Sequence, residues 1–444
     1  MTARTLAVAA LTALALVAGG CGGGGRPFRI GVLTDCQGPL KWAEEAELSA
    51  VELPLLRRGA RLAGRAPSDG ITRATVAGRK VELVRGCSEV AEQAVFIDEA
   101  RRLVEEQHVD AVIGGAAVVP RELARRYPDL PFLATSPSWE QEVTLRRPAP
   151  NLYRFTLDFG QWAAGLGTYA YDVLGWRRAT ILAGDEPSGW DGAAAFVAEF
   201  CALGGKVDAQ VYRSPFEPEP NRKMVSRALA ARDDGVASFL TDLDASTSVV
   251  GLLAERLDRP RDRLLLWSPN SEDPTFLKRL GAKLDGVVLT SRFPAGRHSQ
   301  ALTDYEAAYR GAFPGMPLAI AKLPYTIDYA DSVEALLTAL EHANGDLSHG
   351  RSRLRAELAR VRVALPRGDV HLDGNRQAVS DVPLVRLHLR HGKFDPEPVA
   401  MARNVEQTFG GLLSHAPPPG PHSQPCRKAT PPAWARAISR RSSR

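Results

Sequence analysis

Short apolar runs alternate with helical patterns along most of this chain. Residues 29–34 are built around Ile30, Val32 and Leu33 and stop at a polar loop holding Gly38 and Pro39. An apolar run without alternation fits a strand buried on both faces, as in a parallel sheet. A helical pattern follows at 42–56. The strand pattern returns at 81–85, 109–115 and 131–135, and the helical one at 89–107 and 121–127. Residues 63–78, rich in Gly, Ala and Arg, read as a surface loop. A second series opens after 151–156. It has helices at 162–174 and 190–203, and strands at 178–183, 207–212, 236–241, 263–268 and 286–290. Beyond 293 come helices at 300–313, 325–344 and 352–361 and late strands at 370–372 and 383–389. Regular alternation means βαβ units. The expected fold class is α/β, with two doubly wound, Rossmann-like lobes and a cleft between them.

In open α/β sheets, ligands sit beyond the carboxyl ends of the strands. The loop 34–42 is therefore the first place to expect a ligand. The length of 444 residues agrees with two domains. The formal charge of +5 is a property of the tail. Beyond Leu412 stand Arg427, Lys428, Arg436, Arg440, Arg441 and Arg444, with no acid. The body is near neutral, which gives no reason to expect a nucleic-acid partner. Residues 412–444, rich in Pro, Ser and Arg without periodicity, read as a disordered basic tail.

The start of the chain sets the compartment. Arg4 precedes an apolar stretch at 6–17, and Ala18, Gly19 and Gly20 lead into Cys21. The stretch is too short to span a bilayer and has the form of a signal-peptide core over 1–20. Small residues before a cysteine resemble a bacterial lipobox, with Cys21 diacylated and 21–27 a Gly-rich tether. An ordinary cleaved secretory leader is the competing reading. Lipid anchoring at Cys21 would place the chain on the cell membrane, outside the cytoplasm. Of the other cysteines, Cys36 and Cys87 each follow a predicted strand, in loops that neighbouring strands would bring together. In an oxidising compartment that favours a disulfide over two thiols or a metal pair. Cys201 shares a helix face with Phe196 and Phe200 and reads as a buried thiol. Cys426, in the tail, reads as free.

The order of motifs resembles the type I periplasmic binding proteins, specifically the branched-chain amino-acid (Leu/Ile/Val) family that serves ABC importers. The residues carrying the resemblance are Ile30-Gly-Val-Leu-Thr with Gly38-Pro39, Ala111-Val-Ile-Gly-Gly115 and Ala134-Thr-Ser-Pro137. Asn151-Leu-Tyr-Arg-Phe155, the loop 184–192 and Tyr329-Ala-Asp-Ser332 complete the set. The resemblance implies two lobes joined by a three-strand hinge. It assigns 28–156 and 294–363 to lobe 1, and 157–293 and 364–403 to lobe 2. It implies a ligand carboxylate held by Ser136 and Ser138 and by the amides of Gly115, Ala116 and Ala117. Trp42, Trp139, Trp190 and Tyr325 match or adjoin aromatic positions that cover the ligand. In amino-acid-binding relatives an acid near Asn270 receives the ligand's ammonium. Asp242 or Asp244 would have to replace it, unless both are capping or solvated acids. An amino acid and a metabolite lacking an amine both stay open as ligand. A family disulfide lies beside the cleft, near the position of Cys87. The implied partners are a small ligand and an ABC permease with its ATPase. A sensory receptor of the same fold, acting on a membrane signalling protein, is the alternative.

No enzyme is expected. All nine histidines fall outside the strand-end loops, so a Ser-His-Asp arrangement has no base there. There is no G-x-S-x-G elbow, phosphate-binding loop or metal-spaced Cys/His set. No cofactor or metal is expected. Gly165-Leu-Gly167 reads as helix packing, and Asp233-Asp234 as a solvated helix face.

Overall fold

The computed structural model describes residues 26–442, apart from 90–91, 116–118, 136–140, 147, 215–219, 232, 270–272, 294–299, 415–419 and 421–425. Two sheets carry the chain. The first uses β1 (Phe28–Asp35), β2 (Arg79–Ser88), β3 (Ala111–Gly114), β4 (Phe132–Leu133) and β5 (Leu152–Tyr153). Its order is β2-β1-β3-β4-β5, all parallel, with the short strand Thr75–Val76 antiparallel on the β2 edge. The second uses β6 (Arg178–Gly184), β7 (Lys206–Arg213), β8 (Gly235–Phe239), β9 (Leu264–Trp267) and β10 (Val288–Thr290) in the order β7-β6-β8-β9-β10. Antiparallel strands β11 (Val363–Leu365), β12 (Gly368–Leu372), β13 (Ala378–Arg390) and β14 (Lys393–Val405) extend it from β10.

Helices cover these sheets. They include α1 (Glu44–Arg57), α2 (Gln93–Arg101), α3 (Pro187–Ala202), α4 (Leu243–Arg256), α5 (Pro324–His342) and α6 (Ala435–Ser442). Glu44, Glu45 and Glu47 fill the first turn of α1, where carboxylates complement the helix dipole. Separate clusters of buried side chains line the outer face of each sheet, and one continuous core joins their other faces.

Between the sheets lies a buried polar junction. The Arg154 N–H donates to Arg376 O at 3.0 Å, and the Ala378 N–H to Arg154 O at 2.9 Å. Gln377 Nε2 donates to Thr156 O (2.9 Å) and Gln161 Oε1 (2.7 Å). Arg367, between β11 and β12, donates to Asp328 and Asp331 of α5 and to Thr156 Oγ1. Burial pushes the Asp331 carboxyl up to about 6 against the pull of Arg367. Charges this deep are tolerated because they are paired and hydrogen-bonded.

Several sequence expectations need correction. The segment 63–78 is not plain loop: Arg61–Leu62 pairs with Ile71–Thr72 around a 3₁₀ turn at Pro67–Asp69. The helix expected at 162–174 is three short pieces, Phe159–Trp162, Leu166–Thr168 and Tyr169–Val173. The break falls at Gly165, whose φ of +89° suits only glycine. At Gly167 a Cβ would strike the backbone of Phe196 and Phe200, so this glycine serves close helix packing, as its pattern suggested. Strand β14 was not expected, because Pro396 and Pro398 argue against a strand. Among the described strands it pairs with β13 alone, and an edge strand tolerates proline. Asp233 is buried rather than solvated on a helix.

The largest correction is the tail. Its described part, from Cys426 on, is docked against the second sheet and ends in α6. Cys426 is neither free nor alone: it forms a disulfide with Cys201, Cα–Cα 5.2 Å. Trp434 is buried, stacks edge-on against Phe409 at 5.2 Å and donates its indole N–H to Glu199. Glu199 also accepts from the Gly165 N–H at 2.8 Å and the Thr168 N–H at 3.2 Å. Trp434 and Ile438, four residues apart, share one buried helical face. Arg427, Lys428 and Arg436 face solvent. Two signals pointed here: that spacing, and an even number of cysteines after Cys21.

Candidate functional site

The strand orders locate the site. In the first sheet β1 is followed by β2 on one side and β3 on the other, so the order reverses between β1 and β3. In the second, β6 is followed by β7 on one side and β8 on the other. At such reversals the flanking loops part and leave a crevice at the carboxyl ends. Each sheet therefore presents one crevice.

The first crevice is floored by the ends of β1 and β3. Cys36, just past β1, is disulfide-bonded to Cys87 near the end of β2, Cα–Cα 5.3 Å. The register sets Thr34 against Cys87, which puts the two cysteines within reach. Gly114 ends β3 and Gly115 follows it, with φ of +110° and +104°. A Cβ would overlap Leu33 O at the first and the Phe96 ring at the second. No side chain fits either place, so backbone lines the wall. Asp35 is buried; its N–H donates to Glu47 Oε2 at 2.9 Å. Burial, reinforced by the Asp35 carboxylate, holds Glu47 well above the usual carboxyl range. Tyr329 of α5 donates to Leu33 O at 2.6 Å and ties the helix to this strand end.

The second crevice lies between the ends of β6 and β8. Asp185 and Glu186 follow β6; Thr241 and Asp242 follow β8. Asp185 Oδ1 accepts the Trp190 Nε1–H at 2.9 Å. The Thr241 hydroxyl donates to Glu186 and lies 3.3 Å from Ser188 Oγ. Glycine makes this possible. A Cβ on Gly184 would collide with the Glu186 side chain, and one on Gly189 with the Gly184 backbone. The start of α3 therefore rests directly on the strand end.

The two regions meet where the Gln141 N–H, in the segment after β4, donates to Asp191 Oδ2 of α3 at 2.9 Å. Both residues are buried. Two open hollows of about 480 and 500 Å³ lie instead at the opposite, amino ends of the strands, around Tyr127 and Asp129 and around Trp176 and Asp234. Their position makes them poor ligand sites for this topology.

The residues expected from sequence separate accordingly. Trp42 sits on the 3₁₀ turn Gly38–Ala43 beside the first crevice, 56 % exposed. Gly115 directly follows β3, and Tyr325 lies in the first turn of α5. Trp190 is half-buried in the first turn of α3. Ala116, Ala117, Ser136, Ser138, Trp139, Asn270 and Cys21 lie outside the described residues. Asp242 caps α4, accepting the Ala245 N–H at 2.6 Å. Asp244 is 84 % exposed and paired with Arg279 at 2.6 Å, which turns it away from the crevice. The acids bordering the crevice without another assigned task on α4 are Asp185 and Glu186. The sequence reading missed both, although they directly follow a predicted strand. Among the described residues no group of three or more His, Cys, Asp or Glu is placed to hold a metal. No described helix is long and apolar enough to cross a membrane.

Comparison with known proteins agrees with this geometry. No curated protein matches the chain. An ABC transporter substrate-binding protein from Sphaerobacter thermophilus superposes with a TM-score of 0.72 at 22 % identity, over 86 % of this chain and 99 % of that one. A solute binding protein of an ABC transporter from Rhodopseudomonas palustris HaA2, in complex with p-hydroxybenzoic acid, gives 0.70 at 17 %, over 86 % and 98 %. A leucine binding protein from Thermotoga maritima MSB8 gives 0.61 at 19 %, over 84 % and 98 %. The family model described as periplasmic binding protein matches residues 27–393, stopping short of most of β14 and of the docked tail. With that match spanning most of its length, the chain belongs to the periplasmic binding protein family, whose members are extracytoplasmic solute-binding proteins rather than enzymes.

Proposed function

We propose that this chain captures a small polar ligand, an amino acid or related metabolite, and delivers it to the permease and ATPase of an ABC importer. Capture occurs between the two crevices, and closure is a hinge motion about the buried junction of Arg154, Gln377 and Arg367. Diacylated Cys21 holds the protein on the outer face of the membrane. The observation that carries this reading is the pair of topological switch points on separate sheets, meeting at the Gln141–Asp191 bond. Relatives of this fold are described with leucine and with hydroxybenzoate. Those ligands share a carboxylate, and backbone amides at Gly114 and Gly115 suit one.

Thermal melting of the oxidised full chain against a metabolite panel tests the reading. A ligand at a hundred times its Kd stabilises the native state by about 2.7 kcal/mol. At least one member should raise the melting temperature, and no shift with a folded sample rejects solute capture. Separately, Cys21→Ala should release the protein from membranes; unchanged retention rejects the anchor.

A further inference from the structure

The chain beyond residue 393, past the reach of the family model, enters the junction between the two halves. Gln407, two residues after β14, is fully buried. Its Nε2 donates to Asp158 Oδ2 at 2.6 Å and to Thr144 Oγ1 at 2.9 Å, and lies 3.4 Å from Gln141 O. Gln141 opens the 3₁₀ turn Gln141–Val143, between β4 and β5 of the first sheet, and Thr144 follows it. The Thr144 hydroxyl also accepts from Arg154 at 2.8 Å and donates to Gln377 Oε1 at 3.0 Å. Its donor and both lone pairs are thus in use. From the other side, α3 holds the same turn, because Asp191 Oδ2 accepts the Gln141 N–H. A turn of the first half is therefore gripped between two segments of the second.

The two arms of the grip are fastened to each other. The far end of α3 carries Glu199 and Cys201. Trp434 donates to Glu199, and Cys426 is disulfide-bonded to Cys201. Phe409, two residues after Gln407, packs edge-on against Trp434. Helix α3, the docked tail and Gln407 so form a bracket that closes around the turn.

The bracket is not saturated. Gln141 Oε1, Gln141 Nε2 and Gln407 Oε1 are buried without a hydrogen-bond partner among the described residues. The Gln141 amide lies directly over Gly160, where a Cβ would be 2.1 Å from its Nε2. Buried polar atoms are normally paired. A contact with three unpaired ones gains bonds when its parts shift, which suits a joint that moves. We propose that this bracket governs how far the two halves part. Gln407 is the positioning residue that seats the turn, and the Cys201–Cys426 bond is its fastening. Hinge opening belongs to the reading above; the grip on the turn goes beyond it and is tested without a ligand.

The test is hydrogen exchange of the oxidised full chain, read on the amides of 141–145. The amides of Thr144 and Leu145 donate to Gln141 O, and that of Gln141 to Asp191. Exchange times are kept short enough that the β1 amides stay protected. In Gln407→Met the 141–145 amides should exchange faster by roughly tenfold or more. Cys426→Ser should act in the same direction by a smaller factor. Small-angle scattering of both variants should give a larger radius of gyration than the wild type. Unchanged exchange at 141–145 in folded Gln407→Met overturns the proposal. So does a rise no greater than that of the β1 amides, which would mean general loosening. Faster exchange with an unchanged radius overturns control of opening. If Gln407→Met does not fold, Cys426→Ser is judged by the same criteria. Failure of solute capture leaves this test intact, since no step of it uses a ligand.

Discussion

The two ends of the second sheet are made from the same strands yet use their acids differently. At the carboxyl end, Asp185 and Glu186 meet an indole, hydroxyls and no described cation. At the amino end the acids are bound into the fold. Asp234 accepts the N–H groups of Arg177 and Arg178 at 2.7 and 3.0 Å. Arg263 donates to Asp233 O, Asp234 O and Asp258 Oδ1. The Cys201–Cys426 disulfide fastens the tail to the same end. One end holds the lobe together; the other keeps negative charge in reserve. The lesson is that the same kind of side chain is tied to cations at one end of a sheet and only to neutral donors at the strand-order reversal.

The comparison can be broken at the fastened end first. Trp434→Ala removes a buried ring and one donor to Glu199. It should cost about 3–5 kcal/mol in urea unfolding, and Cys426→Ser about 2–4 kcal/mol. An unchanged midpoint in both would mean that the tail is not docked in solution. Next, Arg263→Ala strips three acceptors of one guanidinium and should cost about 2 kcal/mol by the same measurement.

A smaller effect is readable in pH. Burial, with Asp208 adding to it, pushes Asp233 from its ordinary 3.8 up to about 6. The folded state thus holds a proton that the unfolded state has released. This contribution is full below about pH 4 and is lost as pH rises through 6. Asp233→Asn should gain stability relative to the wild type between pH 4 and 7, by about 1 kcal/mol at this solvent-screened end. A flat difference across that range would remove the assignment. Smallest of all, Asp185→Asn and Glu186→Gln should change the ligand-free stability by less than about 0.5 kcal/mol, since no ion pair is lost. A loss of 2 kcal/mol in either would show that these acids also hold the fold together, and the contrast between the two ends would fail.

Local pattern was enough for much of this protein. Apolar runs such as Ile30 to Leu33 and Leu264 to Trp267 are buried on both faces of a parallel sheet, and their lack of alternation says so. The same alternation of strand and helix predicted two α/β halves, each with its own parallel strands. Beyond the Cys36–Cys87 pair, sequence did not reveal which distant segments meet. Trp434 and Cys426 sit in a Pro- and Arg-rich stretch whose composition reads as disorder; only contact with Glu199, Phe409 and Cys201 gives them a place. Pro396 and Pro398 look like strand breakers until β14 is found on an edge. Asp242, Asp244 and Glu186 are equivalent as letters after strands. Capping of α4, pairing with Arg279 and folding back over Gly184 assign them three different roles. Periodicity is written in neighbouring residues and fixes burial; the partner of a charge is chosen across hundreds of residues, and only the tertiary structure decides it.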